Sequence, residues 1–243
     1  LYKDVRKGMG IAEGTLPEYM MEDLITEGVY DPGIFKAVFL MGGPGSGKST
    51  VVDGLSLSTL GLKKVNSDRA FEVGLKKAGL SLDLRKTPEP VKEPIRSKAK
   101  NLTAKALDGY LAGRLGVIFD TTSANTAKIK KYKKNLDALG YESKMIFVNT
   151  SLEFAQQRNE ARPRKLSADI VQQEWEKVQK NMKTMMRLFG KDFMTITNDD
   201  TLQALESKTN RLYGKMMSWV SSFPGNKIAT AWKESQLNLK KNK

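Results

Sequence analysis

The sequence predicts an α/β fold with five parallel strands set between helices, and three observations lead there. A glycine-rich stretch, Gly42-Gly43-Pro44-Gly45-Ser46-Gly47-Lys48-Ser49-Thr50, stands between the unbroken apolar run Ala37-Val38-Phe39-Leu40-Met41 and a helix-like pattern that begins at Val51-Val52. Downstream, strand-like and helix-like segments alternate, as in a parallel sheet covered on both faces. With 243 residues the chain is long enough to bury a sizeable core and carry terminal additions.

In chain order, residues 1–35 are polar and broken by Gly8, Gly10, Gly14, Pro17 and Asp31-Pro32-Gly33. They read as an N-terminal arm with a short helix around Pro17–Glu27, Pro17 in its first turn. The main domain, residues 36–200, opens with a strand over Lys36–Met41, then the glycine-rich loop and a helix to about Leu60. A second strand, Lys63–Asn66, ends in Ser67-Asp68 and leads to a helix over Arg69–Ala78. Leu80–Pro94 is polar and holds Pro88, Pro90 and Pro94, so it cannot be a regular helix throughout. It reads either as an excursion over the site or as a plain surface connection. A long helix fits Ile95–Leu115, a third strand Gly116–Asp120, and a basic helix Thr126–Leu139 with Gly140 as its stop. The fourth strand, Lys144–Asn149, runs into Thr150-Ser151-Leu152-Glu153, a capping box with Thr150 as cap. That helix breaks at Pro163. The next, about Ala168 to Phe189 with Ser167 as cap and Gly190 as stop, buries Val171, Trp175, Val178, Met182, Met185 and Phe189 at steps of three and four. A fifth strand covers Phe193–Thr197. Residues 201–243 read as a helical extension on the same domain: a helix from Leu202 to about Phe223, then Pro224-Gly225 and a Lys-rich tail.

Composition removes several chemistries. The chain has no Cys and no His, so disulfides, thiolate nucleophiles, imidazole catalysis and the usual zinc ligands are excluded, and general-base work falls to carboxylates. Freedom from Cys suits a cytoplasmic protein. No stretch approaches the ~18 consecutive apolar residues of a membrane span. Forty-one Lys and Arg against 27 Asp and Glu give a formal net charge of +14, a field that favours polyanions such as nucleic acid or nucleotides, or else simply a well-solvated surface. The lysines of Thr126–Leu139 spread round their helix and read as a solvated face. The chain begins at Leu1 rather than Met, which reads as a fragment or processed form.

The glycine-rich stretch fits G-x-x-x-x-G-K-[ST], a phosphate-binding loop. Strand and helix on its flanks supply the context it needs, since helix-start amides must point at phosphate oxygens. Gly42, Gly43, Gly45 and Gly47 permit the backbone angles of an anion nest, and Pro44, Ser46 and Thr50 complete the cradle. Lys48 adds a mobile charge for the β- and γ-phosphates, and the Ser49 hydroxyl is placed to bind Mg²⁺. Asp120 closes a hydrophobic strand, the pattern that supports Mg²⁺ beside such a loop. Thr121, Thr122, Ser123 and Asn125 follow it, as phosphate contacts or as helix caps. Parallel strands bring their C-terminal ends to one edge, so Asp68 shares the cleft with Lys48 and Asp120. There it can accept the proton of an attacking hydroxyl, or cap the next helix. Arg158, Arg162, Arg164 and Lys165 surround Pro163 and read as a mobile basic lid able to close over a γ-phosphate.

Gly42 to Thr50, Asn66-Ser67-Asp68, Phe119-Asp120-Thr121-Thr122 and Arg158-Asn159-Glu160-Ala161-Arg162 come in the order and spacing of the zeta-toxin and polynucleotide-kinase-like group of P-loop kinases, which this chain resembles over roughly residues 36–198. Arg164–Val171, with Trp175 beyond, resembles that group's lid and following helix. The resemblance implies a P-loop NTPase core of strand order 2-3-1-4-5 and phosphorylation of a hydroxyl by ATP with Mg²⁺. It makes Asp68 the base, Lys48 and Ser49 nucleotide and metal contacts, and Arg158 with Arg162 the lid charges. In the polynucleotide 5′-kinases an arginine stands three residues after the base; here that position is Phe71. The departure favours a nucleotide sugar or other small-molecule acceptor over a nucleic-acid 5′-hydroxyl. A nucleotide-binding structural or assembly protein, with the loop but no acceptor pocket, is the rival from another class.

Overall fold

The computed structural model describes residues 29–199 and 202–241, so the helix expected over Pro17–Glu27 lies outside the described residues. Five strands, β1 (Lys36–Met41), β2 (Lys63–Val65), β3 (Val117–Asp120), β4 (Glu142–Asn149) and β5 (Phe193–Thr197), form one sheet in the order β2-β3-β1-β4-β5. All four pairings are parallel. β1 is central and buried along its whole length. Alternation along it divides the core in two. Ala37, Phe39 and Met41 point to one face with Ile129, Leu136, Val178 and Met185, while Val38 and Leu40 point to the other with Val51, Val52, Leu205 and Val220.

The helices are α1 (Lys48–Gly54), α2 (Asp68–Lys77), α3 (Glu89–Ala112), α4 (Thr126–Ala138), α5 (Leu152–Ala161), α6 (Ala168–Phe189), α7 (Leu202–Ser221) and α8 (Lys227–Lys241). Strand order and fold class match the expectation, and so do the bounds of β1, β5 and α6. β2, β3, β4 and α2 shift by one or two residues at an end, and three elements differ by more. α1 ends at Gly54 rather than near Leu60, because Leu55 and Leu57 are both fully buried. Residues two apart point to nearly opposite sides of a helix, so the chain must leave helical geometry there, and Ser56 turns it at φ +50°. α3 begins six residues before Ile95. Pro90 occupies its second position, where an amide has no intrahelical partner, and Pro94 lies inside the helix on its exposed side, so the freed carbonyl faces water. The Lys-rich tail is α8, with Ala229 buried and the Trp232 ring edge-on to Phe35 at 5.2 Å.

Candidate active site

The loop between β1 and α1 is shaped by its glycines. Gly42, Gly45 and Gly47 have φ of +155°, +78° and +90°, and Gly47 caps α1 from a left-handed conformation. Three later segments wall the loop in. A Cβ on Gly45 would strike the Ala155 carbonyl of α5, one on Gly47 would strike the Asn198 side chain, and one on Gly43 would lie 3.5 Å from the Trp175 backbone. Trp175 is itself anchored, its indole N–H donating to the Thr150 carbonyl at 2.7 Å. Within the loop the Ser46 hydroxyl is buried and has no hydrogen-bond partner. Pro44 is half-buried, while Ser49 and Thr50 are exposed at the start of α1.

Lys48 arches back over the loop, and its ammonium donates to the Gly42 and Gly43 carbonyls at 2.7 and 3.0 Å. Burial lowers its pKa; the charges of Asp120 and Asp68 oppose that shift, and those of Arg162 and Arg164 add to it. Four charged groups from three other parts of the chain therefore act on Lys48.

Asp68 is the first residue of α2, not its cap. Its amide donates to the Asn66 side-chain oxygen at 2.6 Å, so Asn66 satisfies the helix start. The Asp68 carboxylate is gripped from both sides by Arg164, at 2.9 and 2.6 Å, and the same guanidinium reaches Glu72 at 3.1 Å. Asn66 also donates to Asp120 at 2.8 Å, where Lys64 approaches to 3.3 Å. One asparagine thus ties the ends of β2 and β3 together.

The arginines around Pro163 divide. Arg158 turns toward the end of β5, donating to the Asn198 carbonyl at 2.9 Å and to its side-chain oxygen at 3.3 Å. It braces a strand end instead of standing on the lid. Asn198 in turn donates to the Ser46 carbonyl at 2.7 Å, so the brace continues into the phosphate loop. Arg162 faces the cleft. It donates to Asn159 at 3.0 Å, and its Nε is buried without a partner. The segment after it is stapled in place: the Asn159 side chain donates to the Leu166 carbonyl and accepts from the Leu166 amide, at 2.8 and 3.1 Å. The excursion before α3 closes on this lid through the Leu84 amide to the Lys165 carbonyl, 3.2 Å, and Arg85 to Glu160, 3.0 Å.

Two other expectations resolve locally. Ser151, not Thr150, caps α5, because the Thr150 hydroxyl is engaged with the Asn198 carbonyl and the Asp199 carboxylate at 3.0 and 2.9 Å. Of the residues after Asp120, Ser123 donates to the Leu40 carbonyl and Asn125 caps α4, so both fasten the turn. Phe71 is buried, with the Arg96 guanidinium 4.6 Å from its ring centre. From the sequence Arg164 reads only as lid charge, Asn66 and Asn159 enter only as members of the matching stretches, and Asn198 is not singled out at all. The available signal was an asparagine at or just after the ends of β2 and β5.

The cradle suits a nucleotide phosphate. It offers left-handed glycines leading into a helix start, a buried unpartnered hydroxyl, a lysine held only by carbonyls, and no room for side chains at Gly42, Gly45 and Gly47. Ser49 and Asp120 supply the hard oxygen donors that Mg²⁺ takes. Among the described residues no group of three or more Asp or Glu could hold a metal alone, so the phosphates would have to complete its shell.

A parallel sheet of this order with a phosphate loop between its central strand and the next helix defines the class, a P-loop kinase. More particularly, the chain belongs to the zeta toxin family, whose model matches residues 31–215. Its fold is shared with a protein of Chloroflexus aurantiacus J-10-fl described only provisionally as a kinase (13% identity, TM-score 0.50, 72% of this chain and 97% of that one). It is shared also with a chain of the AvrRxo1-ORF1:AvrRxo1-ORF2 complex with sulphate ions (13% identity, TM-score 0.58, 81% of this chain and 63% of that one). No curated protein matches the chain in sequence. Among the described residues no helix is long and apolar enough to cross a membrane.

Proposed function

We propose that this phosphotransferase uses ATP with Mg²⁺ and phosphorylates a hydroxyl of a small-molecule acceptor, a nucleotide sugar being the favoured class. The observation that carries the reading is the Asn66 bridge: its side chain donates to the Asp120 carboxylate at 2.8 Å and accepts from the Asp68 amide at 2.6 Å, which supports Asp68 as the base beside the strand end that would hold the metal. Loop amides from Gly43 to Thr50 and the Lys48 ammonium hold the donor phosphates, Lys48 leaving the carbonyls it now contacts. Ser49 and Asp120 would hold Mg²⁺, which when bound would draw charge from the phosphates. Asp68 accepts the proton of the acceptor hydroxyl, and this requires Arg164 to release at least one carboxylate oxygen. Arg162, with Arg164, then supplies positive charge to the cleft. Arg158 acts at one remove, through Asn198 and Ser46.

Phe71 supports the small-molecule reading, because its ring fills the core where a phosphate-binding arginine would be needed for a polynucleotide end. The test is incubation with γ-labelled ATP, Mg²⁺ and a panel of nucleotide sugars, nucleosides and 5′-hydroxyl oligonucleotides. Label should pass to a nucleotide sugar or another small hydroxyl compound. Transfer to the oligonucleotide alone would overturn the acceptor class, and transfer to nothing would favour a structural nucleotide binder.

A further inference from the structure

α4 and α6 lie side by side on one face of the sheet. The Asn181 side chain of α6 donates to the Ser123 and Ala124 carbonyls just before α4, at 3.3 and 2.8 Å. Further along, the Lys133 ammonium of α4 lies 5.7 Å from the Phe189 ring centre of α6. The two helices therefore run in the same direction. Ile129 and Leu136 of α4 enter the same core as Val178 and Met185 of α6, so the opposite sides of both helices face solvent together.

Those outward sides are basic. Lys130, Lys131 and Lys134 are exposed on α4, and Lys180, Lys183 and Arg187, at steps of three and four, on α6. Among the described residues none of the six makes an ion pair, whereas the neighbouring Lys133 and Lys177 are paired with Asp137 and Glu174. Glu176, one turn before Lys180, bounds the patch and accepts from Gln172. At ~1.5 Å rise per residue Lys180 and Arg187 are about 10 Å apart, and adjacent helix axes lie about 8–10 Å apart. With Asn181 level with Ala124 and Phe189 with Lys133, Lys180 and Lys134 mark the two ends, so the six unpaired cations stand on a patch of roughly 15 by 10 Å, on a chain of net charge +14.

We infer that this outer face of α4 and α6 docks the phosphodiester backbone of double-stranded nucleic acid. The six unpaired cations on adjoining stripes carry the inference, since paired phosphate strands are the polyanion that complements them without base contacts. An acidic membrane fits less well: the exposed large apolar residues on these helices are only Ile170, at the lid end, and Met186. A single strand fits less well too, since Tyr132, the aromatic residue within the patch, is half-buried beneath Lys128 and offers no face for stacking. None of the six cations is among the residues assigned to the site, so the inference stands whether or not the acceptor is a nucleotide sugar.

Fluorescence anisotropy with a labelled 25-base-pair duplex of arbitrary sequence tests it on the full chain. Binding should weaken with salt at a log–log slope of about −0.9 per phosphate engaged. The variant Lys130→Gln, Lys134→Gln, Lys180→Gln, Arg187→Gln should bind at least tenfold more weakly at low salt and flatten the slope by roughly 3 to 4. A control of equal charge, Lys98→Gln, Lys100→Gln, Lys105→Gln, Lys215→Gln, should stay near the parent. Equal losses in both variants would reduce the effect to net charge and overturn the inference. So would no duplex binding at low salt, or capture by phosphatidylserine vesicles without duplex binding.

Discussion

Asn198→Ala cuts the brace between the end of β5 and the phosphate loop. Asn198 is 4% exposed, and its amide is the donor to the Ser46 carbonyl at 2.7 Å. Ser46 is also buried, so removing the amide strands a carbonyl away from water, at a cost of about 1–3 kcal/mol. Arg158 loses its 3.3 Å bond to the side-chain oxygen but keeps the shorter one to the Asn198 backbone carbonyl, so α5 stays docked and most of the loss falls on the loop. Part of that cost is relieved when the loop relaxes, and must be met again when phosphates require the original shape. ATP affinity should therefore fall about tenfold, the equivalent of ~1.4 kcal/mol, with urea stability reduced by a similar amount. Titration calorimetry with ATP and Mg²⁺, beside urea unfolding, separates the two effects. Asn198→Asp should bind ATP more weakly still, because it keeps an acceptor for Arg158 but offers Ser46 no donor and adds negative charge beside the cradle. Parental ATP affinity in Asn198→Ala, with or without lost stability, would refute the reasoning: the amide would then be a tie between elements that the nucleotide never feels.

Asp68→Asn should slow transfer to acceptor by about 10²–10⁴-fold in a steady-state assay. The Arg164 pair it weakens is partly exposed, so urea unfolding should change by no more than about 1 kcal/mol; near-normal transfer would place the base elsewhere. Burial holds the Lys48 pKa below 10.5, so the charged form is disfavoured in the folded protein and its penalty fades as pH rises from the lowered value to 10.5. Phosphates should raise that pKa, and calorimetry in buffers of different ionisation enthalpy should detect proton uptake on ATP binding within this window; no uptake anywhere in it would contradict a buried, shifted Lys48. Trp232→Ala should cost about 2–4 kcal/mol in urea unfolding by opening the edge contact with Phe35, and a loss under about 0.5 kcal/mol would show that α8 adds nothing to the core.

What was legible in the chain depended on how local its cause was. Gly42 to Thr50 announces itself because strand, turn and helix start are contiguous, and each residue's conformation is set by its neighbours. α6 was legible for the same reason, its buried residues repeating at helical steps between a serine cap and a glycine stop. Asn198 was not, because an asparagine amide has meaning only through its partner, and Ser46 lies 152 residues away. Arg164 was read only as lid charge, since nothing near Pro163 reveals that its guanidinium grips a carboxylate 96 residues earlier. Proline misled at α3: Pro94 was weighed as a helix breaker, yet on a solvent-facing side its missing amide leaves a carbonyl that water can satisfy. Thr150 and Ser151 are equally good caps by type, and it was the tertiary demand of Asn198 and Asp199 on Thr150 that left the role to Ser151.

The walls of the phosphate loop bear on the order in which this protein can become active during synthesis. The loop leaves the ribosome ahead of its walls: Ala155, Trp175 and Asn198, against which its glycines are pressed, follow more than a hundred residues later. β1 must also wait, since its two sheet neighbours are β3 and β4, and closing such long loops is entropically slow. A nascent chain halted before β4 would carry every residue of the motif with nothing to hold its shape. Phosphate-binding shape should therefore arrive abruptly on a growing chain, only once α5, α6 and the residue after β5 have been made.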